Sequence, residues 1–217
     1  MTASRSPAPT LRALDDATRG LVELAVAIAR ENEIGLREAM AHAVAARIDP
    51  VWVEELILQA HLFSGFPRAL NAAREWRRAS ARRAPNGDEG ADPAADRVRA
   101  WQKRGEATCA TVYGASYERL RANIRDLHAA LDAWMIVDGY GKVLGRPQLD
   151  LRRRELCIVA MCAVDGQDRQ LHAHLRGAIN TGASPAEIDD VLDIVAPRVD
   201  SDALHRYRLL WDRVRPS

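Results

Sequence analysis

The chain has 217 residues, of which 47% are hydrophobic and 28% are charged, a composition typical of a soluble globular protein. Its formal net charge is +1 and aromatic residues make up only 5%, so we expect no nucleic-acid partner. The three cysteines are an odd number, and no secretory leader or apolar run of about 18 residues is evident. We therefore expect a cytoplasmic protein that does not bind a membrane.

Helix signals follow one another along the chain. The first helix is predicted within residues 12–31, and Asp49 followed by Pro50 starts another. Ser184 and Glu187 have the spacing of a capping box. No segment shows the alternation of apolar and polar residues that is typical of a strand. The sequence therefore predicts an all-α fold.

The helical pattern is interrupted once, by the stretch APNGDEGADPAAD at residues 84–96. Proline, glycine and aspartate in such a cluster are typical of a loop or linker. We predict a linker over residues 84–98, which separates an N-terminal helical repeat at 1–83 from a C-terminal helical repeat at 99–217.

The two halves place the same residue types in the same order. Glu23 precedes His42 by 19 positions, and Glu155 precedes His174 by 19 positions. The distance from the histidine to the next helix-starting proline differs, at 8 residues in the first half and 11 in the second. Our interpretation is a duplication with a degenerate first copy, in which Glu23 and His42 are either structural, which is favoured, or the relic of a second site. The alternative is a chance likeness between helical hairpins.

Two histidines lie two positions apart in GQDRQLHAHLRGAIN, and a helix would point them in nearly opposite directions. His174 shares a face with apolar residues, whereas His172 shares a face with charged ones. Glu155 lies at the inner edge of the preceding apolar helix, and consecutive helices joined by a short turn are antiparallel. Glu155 can therefore approach His174. A carboxylate orients an imidazole and favours its protonated form, which makes an acid/base unit; the alternative is a pair that only packs helices together.

Residues 139–183, with RPQLDLRRREL and RQLHAHLRGAINTGAS, resemble the carboxymuconolactone decarboxylase family and, more distantly, the AhpD-type alkylhydroperoxidases. QAHLFSGFPRALNA at residues 59–72 is also similar to this family. The resemblance implies an AhpD-like fold of repeated helical units that assembles as a homotrimer or homohexamer. It also implies that Glu155 is the family's conserved glutamate and that His174 is its active-site histidine.

Cysteine positions separate the two branches of this resemblance. The peroxidase branch carries a Cys-x-x-Cys where this chain has Gln167 and Gln170. Cys157 and Cys162 are five positions apart and point to different faces of one helix, so they do not form that redox pair. The decarboxylase branch is therefore favoured, which implies a reaction without a cofactor. No zinc-type spacing such as His-Glu-x-x-His is present, so we expect no metal.

The decarboxylase branch implies a small carboxylated lactone as substrate. Loss of carbon dioxide leaves electron density that His174 could protonate, and arginines could hold the acid groups. The candidate substrate-binding residues are Arg146, Arg154 and Arg176. The family's Gly-Phe-Pro segment, which usually follows the histidine helix, is found here at residues 65–67 in the first half. Either both halves build the pocket, or its wall has been remodelled.

Three functions stay open on the sequence. The first is a carboxy-lyase or isomerase acting on a small carboxylated ring compound. The second is a peroxidase-related antioxidant protein that uses Cys157 and Cys162. The third is a non-catalytic helical oligomer that binds a ligand.

Overall fold

The computed structural model describes residues 13–85, 90 and 94–216, and every regular element in that part of the chain is helical. The predicted all-α fold is confirmed. No helix among the described residues has the length and apolar character needed to cross a membrane. The helices are α1 (Asp16–Arg30), α2 (Glu33–Ala45), α3 (Pro50–Ser80), α4 (Ala95–Tyr113), α5 (Tyr117–Leu127), α6 (Ala129–Trp134), a π-helical segment (Met135–Leu144), α7 (Leu151–Val164), α8 (Asp168–Asn180), α9 (Pro185–Val195) and α10 (Ser201–Asp212), with 3₁₀ turns at Gly114–Ser116 and Ala196–Arg198.

Polar caps explain where the main helices begin. The Asp49 carboxylate accepts a hydrogen bond from the Val51 amide at 2.8 Å, and Pro50 occupies the first turn of α3. Ser184 and Glu187 form the complete capping box at the start of α9, as their spacing predicted. Because these caps satisfy amides that have no partner within the helix, the chain begins each helix at the position that the sequence indicates.

The core is formed by both halves of the chain together. All residues of α7 from Arg154 to Val164 are buried, and so are all residues of α1 from Leu21 to Ala29 except Glu23. The two helices pack against each other within a single apolar cluster. The two predicted repeats therefore share one core. The duplication itself stays a prediction.

The helix α3 ends at Ser80, before the predicted linker, and α4 begins at Ala95, inside it. Of the linker at 84–98, residues 86–89 and 91–93 lie outside the described residues.

The helix α3 is interrupted at Gly65, whose φ of 81° and ψ of 163° are accessible to glycine. This break redirects the chain just after Phe63, which reaches the candidate site described below.

The π-helical segment fits tightly against α4. A Cβ on Gly141 would lie 2.1 Å from the carbonyl oxygen of Trp101, so only glycine allows this approach. The contact fixes Tyr140 of the π-helical segment beside Tyr113 at the end of α4, with ring centroids 6.1 Å apart. The two tyrosines form one wall of the candidate site.

Candidate functional site

The centre of the site is a buried pair between consecutive helices. Glu155 on α7 and His174 on α8 are only 1% and 4% exposed. The Nδ1 of His174 lies 2.8 Å from Oε2 of Glu155. Because an ionised carboxylate only accepts hydrogen bonds, Nδ1 carries the hydrogen and donates it. The Nε2 of the imidazole is then the nitrogen left for chemistry.

Gly177, one turn after the histidine on α8, allows the helices to come this close. A Cβ at this position would lie 2.4 Å from Oε2 of Glu155 and 2.8 Å from Cγ1 of Val112 on α4. Real Cβ atoms essentially never make contacts this short, so any side chain at Gly177 would push the carboxylate away from His174. The glycine is therefore part of the geometry that holds the pair.

Aromatic rings enclose the imidazole of His174. The ring of Phe63 packs edge-on against it with centroids 5.5 Å apart, and the Tyr113 ring lies at 6.3 Å. Burial raises the pKa of Tyr113, which is hydrogen-bonded to Tyr140, so both hydroxyls are neutral at ordinary pH. Since Phe63 belongs to α3, the first half of the chain contributes directly to the surroundings of the second-half histidine.

Two of the three predicted substrate-binding arginines are engaged elsewhere. Arg146 and Arg154 both bind the buried carboxylate of Glu55, with Nε of Arg146 at 2.9 Å and Nη2 of Arg154 at 2.7 Å. The other nitrogens of Arg154 donate to the Leu149 carbonyl at 3.0 Å and to Oε1 of Gln59 at 3.3 Å. Arg154 is 0% exposed, and desolvation lowers the pKa of its guanidinium. Its donors are therefore occupied by protein acceptors, and the structure does not bring either arginine to a substrate-accessible position.

Arg176, the third predicted arginine, lies on the exposed side of α8 and borders a surface cavity of about 280 Å³. Tyr113, Asn180 and Arg213 line the same cavity. Burial first, and then the positive charges of Arg176 and Arg213, lower the pKa of nearby His172. This cavity is therefore a positively charged region, and Tyr113 connects it to the surroundings of His174.

The cysteines are buried in the helical core. Burial raises the pKa of the Cys109 thiol to about 12 and raises the pKa values of Cys157 and Cys162 further. Because the thiolate is the reactive form, these side chains have the properties of apolar core residues. Among the described residues, no three His, Cys, Asp or Glu side chains are grouped so that they could hold a metal ion.

Sequence reasoning identified the pair but not all of its surroundings. Tyr113, Gly177 and Arg213 carried no motif that would mark them, because their roles depend on how α4, α8 and the C-terminal segment pack. Phe63 could have been suspected, because it lies in QAHLFSGFPRALNA, the stretch that is similar to the family, two residues before the Gly-Phe-Pro segment.

A comparison with protein-family models matches part of the chain. The model described as the carboxymuconolactone decarboxylase family matches residues 128–212, from the residue before α6 to the end of α10. No curated protein gives a significant match to the chain. The matched segment contains Glu155, His174 and Arg176. Residues 128–212 are thus similar to the carboxymuconolactone decarboxylase family, and the all-α structure of the described residues fits an AhpD-like fold.

Proposed function

We propose that this chain catalyses the cofactor-free decarboxylation or isomerisation of a small carboxylated lactone or ring compound. His174 is the general acid/base and Glu155 is its positioning residue. The observation that carries the proposal is the 2.8 Å contact between Oε2 of Glu155 and Nδ1 of His174, two side chains that are almost wholly buried. Such a pair fixes the ring orientation and leaves Nε2 as the reacting nitrogen.

The reaction needs only one proton from the protein. The bond between the ring carbon and the leaving carboxylate breaks, carbon dioxide departs, and the electron pair passes into the conjugated ring. Nε2 of the His174 imidazolium then gives its proton to a ring carbon, and solvent restores that proton. The Glu155 carboxylate stabilises the imidazolium before transfer. An isomerisation would use the same nitrogen first as a base and then as an acid.

The positively charged cavity beside Tyr113 is the proposed entrance for the substrate. Arg176 and Arg213 border it and could hold carboxylates, since guanidinium groups bind carboxylates with two parallel hydrogen bonds. Tyr113 lines this cavity, and its ring lies 6.3 Å from the His174 ring. The proposal therefore requires the Tyr113 side chain to shift when a substrate enters, which would open a path from the cavity to Nε2.

The proposal is tested by measuring the turnover of γ-carboxymuconolactone, with carbon dioxide release and the change in ring absorbance as the two readouts. We expect activity in the wild type, and a loss of about 100-fold or more in His174→Gln, because general acid/base groups contribute about 10²- to 10⁴-fold. His205→Gln changes an exposed histidine on α10 and should leave the rate unchanged. Absence of turnover on a panel of carboxylated lactones, or full activity in His174→Gln, would refute the proposal.

One observation favours a second function, the non-catalytic binding of a small anion. Phe63 and Tyr113 cover the His174 ring, and that residue is only 4% exposed. In this case, carboxylated rings would bind beside Arg176 and Arg213 without turnover, and binding would survive His174→Gln. The peroxidase alternative has less support, because burial raises the pKa values of the cysteine thiols.

A further inference from the structure

A larger cavity lies in the N-terminal half, between α1, α2 and the end of α9. Its volume is about 620 Å³, which is within the range of about 300 to 1,000 Å³ of small-molecule sites. Glu23 and His42, the pair that matches Glu155 and His174 in sequence spacing, both line it. Neither Glu155 nor His174 borders this cavity, so it is separate from the site described above.

The N-terminal pair is arranged differently from its C-terminal counterpart. No hydrogen bond or ion pair joins Glu23 to His42 in the described part of the chain, and Glu23 is the one residue between Leu21 and Ala29 that is not buried. The Glu23 side chain is 42% exposed. The two side chains therefore border the cavity and are available to a ligand, whereas Glu155 and His174 bind each other.

Arg19, one turn before Glu23 on α1, has donors in this cavity that no protein acceptor satisfies. Only 18% of its side chain is exposed, and its Nε is buried without a hydrogen-bond partner. The carboxylates of Glu23 and Asp190 lie 3.7 Å and 3.6 Å from its terminal nitrogens, which is beyond hydrogen-bond distance. Within the described residues the guanidinium makes no hydrogen bond. An oxygen atom of a ligand could therefore accept a hydrogen bond from a donor that has no protein acceptor.

The charges that line the cavity favour a cation. Four carboxylates and two guanidinium groups line it, but Glu31 is paired with Arg198 and Asp193 with Arg208. Of the other two carboxylates, that of the exposed Glu38 has no hydrogen bond or ion pair with any described residue. Because Arg19 is already flanked by two carboxylates, a third negative charge beside it would be repelled. The oxygen that Arg19 accepts should therefore be neutral. Leu24, Val26 and Ile194 add apolar surface for the rest of the ligand.

We propose that this cavity binds a small organic cation that carries a neutral oxygen acceptor and a short apolar group. The amine would lie near the carboxylates of Glu23 and Glu38, and the oxygen would accept from Arg19. This site is independent of the proposed decarboxylation, since it uses none of the residues of that reaction.

Three related probes test the positive charge and the neutral oxygen of the ligand separately. Each is titrated into the full chain and its binding is measured by calorimetry. Leucinamide is a cation with a neutral carbonyl, leucine adds a carboxylate, and N-acetylleucine is an anion. We expect saturable one-to-one binding of leucinamide, weaker binding of leucine and none of N-acetylleucine. Glu38→Gln should raise the Kd for leucinamide about two- to fivefold, as expected for a partly exposed ion pair, and the double change with Glu23→Gln should raise it further.

Three further variants keep the result interpretable. Glu118→Gln removes the same charge from an exposed site on α5 and should leave the Kd unchanged. Ala39→Phe fills the cavity and should abolish binding, while its circular dichroism spectrum stays native. His174→Gln should bind leucinamide normally even if it lacks turnover, which separates this proposal from the first. The proposal is overturned if leucinamide shows no saturable binding, if N-acetylleucine binds as well, or if neither Glu38→Gln nor Ala39→Phe affects binding.

Discussion

Replacing Gly177 with alanine should separate Glu155 from His174 and destabilise the protein. In an ordinary helix this change is stabilising, because glycine costs about 1 kcal/mol relative to alanine. Here the added Cβ would lie 2.4 Å from Oε2 of Glu155 and 2.8 Å from Cγ1 of Val112. The carboxylate cannot accept that contact without moving away from the imidazole.

The opposing contributions can be compared in magnitude. Overpacking in a dense core costs about 1 to 3 kcal/mol, and loss of a hydrogen bond to a charged group costs about 1.5 to 3 kcal/mol. Together these exceed the helix-propensity gain of about 1 kcal/mol. We therefore expect Gly177→Ala to lower the free energy of unfolding by about 1 kcal/mol or more, with loss of the His174 hydrogen bond.

Urea unfolding of Gly177→Ala beside Gly139→Ala measures this difference. Gly139 is also buried in a helical segment, but the nearest atom to an added Cβ there lies 4.0 Å away, so the methyl group fits. The control should be as stable as the wild type or more stable by up to about 1 kcal/mol, because there the helix-propensity gain is not opposed by a clash. A Gly177→Ala variant that is more stable than the wild type, with the contact between Glu155 and His174 intact in its crystal structure, would refute the reasoning.

Three further results are expected. Glu55→Gln should lower the free energy of unfolding by about 3 kcal/mol or more, measured by urea unfolding, because it leaves the guanidinium groups of two buried arginines without their carboxylate. An aromatic disulfide reagent at pH 8 should label none of the three cysteines of the folded protein and all three in denaturant; rapid labelling of the native state would contradict the buried thiols. Hydrogen bonds from Arg121 hold the pKa of Asp132 below its ordinary value. The stability that this aspartate adds is therefore complete above about pH 4 and is lost as the pH falls through the lowered pKa, so the difference between wild type and Asp132→Asn should shrink in acid.

The sequence allowed the centre of the site to be predicted because helical periodicity fixes which side chains face inward. His174 could be placed inside and His172 outside from spacing alone, and the structure leaves 4% of His174 exposed while His172 is only half-buried. Capping chemistry at Asp49 and Ser184 also allowed the starts of helices to be placed. These features depend on residues close together in the chain.

The arginines could not be assigned from the sequence, because their roles depend on contacts between distant segments. Arg154 adjoins Glu155 in the chain, but it points to Glu55, 99 positions away. That carboxylate had no distinguishing pattern in the sequence. Arg213 likewise reaches the cavity beside Arg176 only because the C-terminal segment packs near α8. Long-range packing therefore decides which guanidinium groups are structural and which are open to a ligand.

The protonation of the His174 ring is the measurement that tests the account most directly. Nitrogen-15 NMR of the imidazole across a pH titration shows which ring nitrogen carries hydrogen. If the Glu155 carboxylate accepts a hydrogen bond from Nδ1, as the 2.8 Å contact indicates, Nδ1 should carry its hydrogen throughout the titration. Only Nε2 should then gain and lose a proton. A neutral form with the hydrogen on Nε2 would mean that Glu155 does not orient the ring, and the proposed acid/base role of the pair would be wrong.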